Sequence, residues 1–291
     1  MNSTLLAVFA HPDDEAFGTG GTLSRYAAEG IRVALVCATR GEVGGIADPS
    51  LATPETLAQV REAELRCAAQ ALGISEVIFL GYRDSGMAGT PENEDPRAFV
   101  NIAAEEVVAQ LVSIIRRLRP QVVVTFEPNG GYGHPDHIAA HHHTVAAFHA
   151  AGDPARYPDQ GPALRPGSVQ AWQPARLFYT AIPRSFFLEM RDRLDAMGVD
   201  TSEFARFEES GAGWPDDQIH VTLDVAGAIE AKWAALQCHR TQFGPDNLFR
   251  RLPEDVLKEM MSREHFALAW PEPAPGLRLP ELFAELDAGE K

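Results

Sequence analysis

Short apolar stretches alternate with helix-like segments through the first half of the chain, and this alternation restricts the fold more than any other feature. Residues 4–10 (TLLAVFA), 31–38 (IRVALVCA), 76–80 (EVIFL) and 121–126 (QVVVTF) are rich in Val, Ile, Leu and Phe. Nearly continuous apolar runs of this length are expected of strands covered on both faces. Helical patterns lie between them, at about 20–29, 55–72 and 102–118. Gly73 stands where the second helix needs a C-cap. Arg116, Arg117 and Arg119 precede Pro120 and close the third helix with charges that suit its dipole. Such alternation predicts βαβ units with right-handed crossovers. The expected fold class is α/β: a Rossmann-like, mostly parallel sheet sandwiched by helices, with a smaller C-terminal lobe.

The texture changes near residue 150. Residues 152–175 are rich in Pro and Gly and read as a long loop. A strand near 176–182, a helix near 185–197, a strand near 219–223 and helices near 225–238 and 254–262 follow, and residues 271–280 are Pro-rich. No internal repeat is visible. The simplest division is a catalytic core over 1–150 and a portion over 151–291 that completes the sheet and covers the site, within a single structural domain.

Composition narrows the partners. A net charge of −16 argues against a nucleic acid, which needs a basic face. No stretch approaches the roughly 20 apolar residues of a membrane span. The opening MNSTLLAVFAHPDDE lacks a basic leader and reads as a strand, not a signal peptide. Cys37, Cys67 and Cys238 are few, odd in number and far apart, with no C-x-x-C spacing. They suit a reducing compartment, and the expected location is the cytoplasm.

Two clusters carry the chemistry. His11-Pro12-Asp13-Asp14-Glu15 directly follows the first strand. Ligands of open parallel sheets bind outside the carboxyl ends of strands. One imidazole and three carboxylates within five residues would repel one another, and a divalent cation resolves this; His and Asp are zinc ligands. Singly, each acid would serve as a helix N-terminal residue. The second cluster, Glu127-Pro128-Asn129-Gly130-Gly131-Tyr132-Gly133-His134-Pro135-Asp136-His137, follows the strand at 121–126. Its glycines permit a sharp turn and close approach to a ligand. His137 is placed to supply a third ligand, His134 to face substrate, and Asp136 to orient a ligand histidine from behind. His137 and His141 also share i, i+4 spacing, but consecutive residues cannot all face one site, so most of the run His141–His143 reads as solvated helix surface.

Together these two clusters resemble the PIG-L/LmbE-like zinc deacetylases, proteins with a Rossmann-like core that remove acetyl groups from N-acetylglucosamine conjugates. Arg61-Glu62-Ala63-Glu64-Leu65, the segment from Gly81 to Thr90, Asn129 to His134, and Lys232 to Gln242 are similar to the branch holding the mycothiol-pathway deacetylase and the mycothiol S-conjugate amidase. The resemblance implies His11, Asp14 and His137 as ligands of Zn2+, with Fe2+ an admissible substitute, and Asp13 as general base. It implies that His134 and Tyr132 stabilise the oxyanion and that Arg61 and Asp84 grip the sugar or its partner group. The implied substrate is a small amino-sugar compound such as a GlcNAc-inositol or GlcNAc-malate. The aglycone stays open among inositol, malate, a lipid and another saccharide, as does assembly into a homo-oligomer.

The chemistry is coherent with those residues. Amide hydrolysis needs an activated water, which a bound divalent ion supplies by lowering its pKa, and a sink for charge on the carbonyl oxygen. Losing one oxyanion donor typically costs about 2.7–4 kcal/mol of barrier. His239 and Gln242 are candidates to reach the site from the C-terminal lobe. The rival within enzymes is an amidase acting on glucosamine-linked thiol conjugates. The rival outside enzymes is a non-catalytic nucleotide- or sugar-binding Rossmann protein. Against a nucleotide, Gly18, Gly20 and Gly21 form no complete G-x-G-x-x-G, and His11–Glu15 separates them from the strand.

Overall fold

The computed structural model describes residues 3–158, 170–198, 201, 213–244, 247, 250 and 252–286. A seven-stranded sheet runs in the order β3-β2-β1-β4-β5-β7-β6. Its strands are β1 (Thr4–Phe9), β2 (Arg32–Cys37), β3 (Glu76–Phe79), β4 (Val122–Phe126), β5 (Arg176–Thr180), β6 (Val221–Asp224) and β7 (Arg263–Trp270). The first five pair in parallel, while β7 runs antiparallel to both β5 and β6. Every residue of β1 and β4 is buried, which is why their sequences do not alternate.

Among the described residues the α-helices are α1 (Asp14–Phe17), α2 (Gly20–Ala28), α3 (Leu57–Leu72), α4 (Ala104–Leu118), α5 (Gly130–Gly133), α6 (Pro135–Ala151), α7 (Arg184–Ala196), α8 (Ile229–Cys238) and α9 (Glu254–Met260). α3 ends at Gly73 in the left-handed region, φ 73°, as its sequence implies. α4 reaches the same conformation without glycine, at Arg119 with φ 51°, because Pro120 forbids another helical turn. Val107, Val108, Leu111, Val112, Ile115 and Leu118 of α4 are buried in the main core. The strand β7 was not anticipated. Its sequence REHFALAW carries His and Glu among apolar residues and joins a helix without a strong break.

Much of the long loop expected over 152–175 falls on 159–169, outside the described residues. Two further readings are corrected. Cys67 and Cys238, 171 positions apart, form a disulfide with Cα atoms 5.8 Å apart, and Cys37 alone is a free, buried cysteine among the described residues. Packing of α8 on α3 makes this pairing, which no local spacing could signal. His141 is 5% exposed and directs Nδ1 to the Phe126 carbonyl at 2.9 Å. It belongs to the interior, whereas His142 is exposed. Among the described residues no helix is long and apolar enough to cross a membrane.

A buried ion pair ties the later elements to α2. Lys232 of α8 donates to Glu264 Oε1 at 2.7 Å, and both residues are 2% exposed. The Glu264 carboxylate also accepts the Gly21 and Thr22 amides at 2.9 and 2.7 Å, using the positive end of the helix. Removing one member of such a pair leaves an uncompensated charge in the interior. Glu264→Ala should therefore lower the unfolding free energy by about 3–5 kcal/mol. An unaltered denaturant midpoint would contradict this account.

Candidate active site

Chain order places the two sequence clusters together. From β1 the chain winds outward to β2 and β3, then returns across β1 to β4 on its other side. Parallel strands diverging from their common neighbour in this way open a crevice at their carboxyl ends. The pairings Leu5↔Val122, Leu6↔Val123 and Ala7↔Val124 bring the ends of β1 and β4 level. His11–Glu15 leaves one strand and Glu127–His137 leaves the other.

Within the crevice His11 Nδ1 lies 3.1 Å from His137 Nε2. Asp14 completes the group, with Oδ2 3.7 Å from His11 Nδ1 and Oδ1 3.3 Å from His137 Nε2. The tautomers follow from what the other ring nitrogens meet. His137 Nδ1 sits 3.1 Å from the Gly130 carbonyl, which only accepts, so Nδ1 carries the proton and Nε2 a lone pair. His11 Nε2 faces Asp136 Oδ2 at 3.1 Å and Asp84 Oδ1 at 3.6 Å, so its proton belongs there and Nδ1 presents a lone pair. Two lone pairs thus converge beside a carboxylate. This fits a cation: a tetrahedral ion with bonds of about 2.0–2.1 Å holds its ligand atoms roughly 3.3–3.4 Å apart.

His134 and the acids on the far side of His11 surround this group. His11, His134 and His137 form one buried set able to hold a metal, and His11, Asp84 and Asp136 another. His11 belongs to both because its two nitrogens face opposite ways. Ser85 N–H donates to Asp136 Oδ2 at 2.9 Å, while buried Asp136 Oδ1 has no hydrogen-bond partner. Burial opposes charge on His11, yet the bonds to Asp136 and Asp84 outweigh it and raise its pKa well above the ordinary value, so without an ion Nδ1 carries a second proton that a bound cation would displace to take the lone pair. Asp14 also resists its burial: the His137 and His11 imidazoles hold its pKa down to about 2.

Asp13 is adjacent to Asp14 but differs from it in backbone conformation and in the direction of its pKa shift. Its backbone is left-handed, with φ 119° and ψ −27°. Burial first, then the neighbouring Asp14 charge, pushes its pKa up to about 7. His134 accepts the Asp136 amide proton on Nδ1 at 3.1 Å, so Nε2 is the protonated nitrogen. Burial, with the nearby His11 and His137, lowers its pKa to about 4. His134 is thus a neutral donor, and no imidazolium is needed. Tyr132, 65% exposed, stands over the edge of the His137 ring with centroids 5.1 Å apart.

Arg61 and Asp84 lie close by and are only 4% and 3% exposed. Arg61 donates to the Gly41 and Gly45 carbonyls at 3.0 and 2.9 Å, while its Nε has no partner. Asp84 accepts the Gly86 and Val43 amides. Both therefore brace the loops bordering the crevice. Sequence reasoning missed Glu127, whose carboxylate accepts the Asn129 and Gly131 amides at 2.6 and 2.7 Å and so shapes the glycine turn. An acid at a strand end just before Asn and two glycines was the available signal. Phe126 was missed as well; its ring stacks on His137 at 4.0 Å and 9°.

The Rossmann-like sheet carries at its switch point a buried His and Asp cluster able to hold a metal, and the likenesses that follow give the class: an amide hydrolase of the N-deacetylase type. The family model described as PIG-L: GlcNAc-PI de-N-acetylase matches residues 6–148. A Geodermatophilus obscurus protein named 1D-myo-inositol 2-acetamido-2-deoxy-alpha-D-glucopyranoside deacetylase is 40% identical, across 91% of this chain and 91% of its own length. The Acidothermus cellulolyticus protein of the same name is also 40% identical, across 99% of this chain and 96% of its own. The chain belongs to the PIG-L family.

Solved structures share the fold. The N,N'-diacetylchitobiose deacetylase of Pyrococcus horikoshii superposes with a TM-score of 0.64 at 21% identity, over 94% of this chain and 84% of that one. The 4-carboxy-2-hydroxymuconate hydratase of Pseudomonas putida KT2440 superposes with a TM-score of 0.60 at 19% identity, over 94% and 98%.

The glycine turn is open to a direct test. At Gly130, φ is 65° and an added Cβ would lie 2.7 Å from His137 Cβ. Gly130→Ala should cost about 1–3 kcal/mol of stability from backbone strain alone. A thermal midpoint equal to that of the parent would show that the turn relaxes freely.

Proposed function

We propose that this protein is a zinc-dependent deacetylase that hydrolyses the N-acetyl group of a GlcNAc-containing small molecule, with the N-acetylglucosaminyl inositol named for its relatives as substrate. The observation that carries the reading is the convergence of the His11 and His137 ring nitrogens, at 3.1 Å, beside the Asp14 carboxylate, whose charge acts on the adjacent Asp13. His11, Asp14 and His137 would hold the ion. Zn2+ suits a nitrogen and carboxylate donor set, and Fe2+ would be accepted by the same ligands. When bound, the ion lowers the pKa of water and polarises the acetyl carbonyl.

The chain's own residues supply the remaining steps. Asp13, buried beside Asp14 and not among the ion's assigned ligands, would take a proton from the attacking water. The same carboxyl then delivers that proton to the departing amine. His134 Nε2–H, fixed in its tautomer by the Asp136 amide, donates to the carbonyl oxygen as negative charge builds there. Tyr132, exposed and with its ring 5.1 Å from that of His137, is the second donor. Asp136 holds His11 from behind, and the Gly130 carbonyl does the same for His137. Arg61 and Asp84 serve the sugar by fixing the 41–45 and 84–86 loops around it.

The decisive experiment is amine release from a panel of N-acetylglucosaminides, with metal analysis of the same sample. The expected result is release from the N-acetylglucosaminyl inositol, abolished by chelation and restored by Zn2+. Absence of turnover on every N-acetylglucosaminide by the metal-loaded protein would overturn the substrate class. His11→Ala should lose bound metal as well as activity, and full metal content would refute the ligand set. Asp13→Asn should keep its metal while turnover falls by about 10²–10⁴-fold. Parental turnover in that variant would remove Asp13 from the reaction.

A further inference from the structure

Asp13 occupies a backbone conformation that a residue with a side chain rarely adopts. Such a conformation is strained, and the surroundings must impose it. Its own side chain makes no helix-capping bond. On the carbonyl side the Ala16 and Phe17 amides hold it at 2.9 and 3.4 Å, and on the amide side the restraint comes from Glu15, whose Oε2 accepts the Asp13 amide at 3.0 Å. The other oxygen of Glu15 is 2.6 Å from His239 Nε2. Glu15 is 1% exposed and His239 is fully buried. Neither belongs to the groups able to hold a metal, and neither has a part in the chemistry above.

His239 is held as firmly as Glu15. It directly follows α8, and its carbonyl accepts the Phe243 amide at 2.7 Å. Two residues on, Thr241 gives its amide and hydroxyl to Glu64 of α3 at 2.9 and 2.6 Å, and its carbonyl accepts the Ala47 amide. Gln242 Nε2 donates to the Pro12 carbonyl, the residue preceding Asp13. The 239–242 turn therefore reaches the 12–15 turn at two points, the Glu15 carboxylate and the Pro12 carbonyl. As a source of stability alone this arrangement is poor, since a buried ionisable pair recovers little beyond its desolvation cost.

We propose that the Glu15–His239 pair positions the general base: it clamps the Asp13 main chain so that the Asp13 carboxylate stays beside the metal group without joining it. This rests on the reading of Asp13 as the base. Glu15 and His239 are positioning residues, acting through the backbone of Asp13 and not on the substrate.

The test compares kcat, KM, bound metal per chain and thermal midpoint for His239→Ala, His239→Gln and Glu15→Gln, alone and combined with Asp13→Asn. His239→Ala should lower kcat by about 10- to 100-fold, the scale of a small misplacement of a catalytic group. KM and metal content should stay within about twofold of the parent. His239→Gln, whose amide can still donate to Glu15, should regain most of the lost kcat. Glu15→Gln keeps an acceptor for the Asp13 amide and should lose less than His239→Ala; it is the informative variant if the alanine protein does not fold. In the Asp13→Asn background, His239→Ala should lower the residual rate no further, because groups acting as one unit are not additive. Unchanged kcat per metal-loaded chain in His239→Ala would overturn the proposal. So would an equal fold-loss in both backgrounds, which marks a purely structural pair. Failure of the base assignment itself is seen separately, as parental turnover in Asp13→Asn alone.

Discussion

The parallel pairing of β1 with β4 is the constraint on which the site depends. These strands are more than a hundred residues apart in the chain, yet Leu5, Leu6 and Ala7 stand in register with Val122, Val123 and Val124. Both strands are buried throughout and lie between neighbours on either side, so their close packing holds them in this register. Because register is fixed, the strand ends are fixed, and with them the points where His11 and His137 enter the crevice. No loop between the two motifs needs to find the other; the sheet does it for them.

Around that meeting point most polar side chains have a second partner that settles their orientation. Gly130 sets the His137 tautomer, Asp136 sets that of His11, and the Asp136 amide sets that of His134. Glu127 shapes the turn that presents the Gly130 carbonyl. Such outer bonds are as much part of a metal-binding group as the atoms that would touch the ion. They also distinguish Asp13 from Asp14. One has two imidazoles to stabilise its charge, whereas the other has burial and a like charge beside it. Two adjacent carboxyls of the same chemistry thereby acquire opposite protonation tendencies.

The fold alone does not decide the reaction. A hydratase shares it with a TM-score of 0.60, and a chitobiose deacetylase shares it with 0.64. The difference must lie in the side chains at the crevice. In this chain the later elements contribute to that crevice from a distance. The turn after α8 grips the 12–15 segment through His239 and Gln242, and Lys232 with Glu264 holds α8 and β7 against the start of α2. Among the described residues, the C-terminal third is therefore coupled to the site without supplying a ligand to it.

Local signals determined a good deal of this. Continuous apolar runs marked β1 to β4 because parallel strands buried on both faces have no polar side to show. The HPDDE and HPDH clusters marked the site because such charge density at a strand end needs a counter-ion. Other features depended on contacts between distant residues, and no periodicity encodes those. The Cys67–Cys238 bond required α8 to pack on α3. The burial of His141 required β5 to lie beside β4, where Tyr179 meets its ring. β7 gained its strand character from β5 and β6 on either side of it, and Glu15 found in His239 a partner 224 residues away. A sequence states which groups must be satisfied; only the packed chain decides which distant group satisfies them, because that choice is made by geometry.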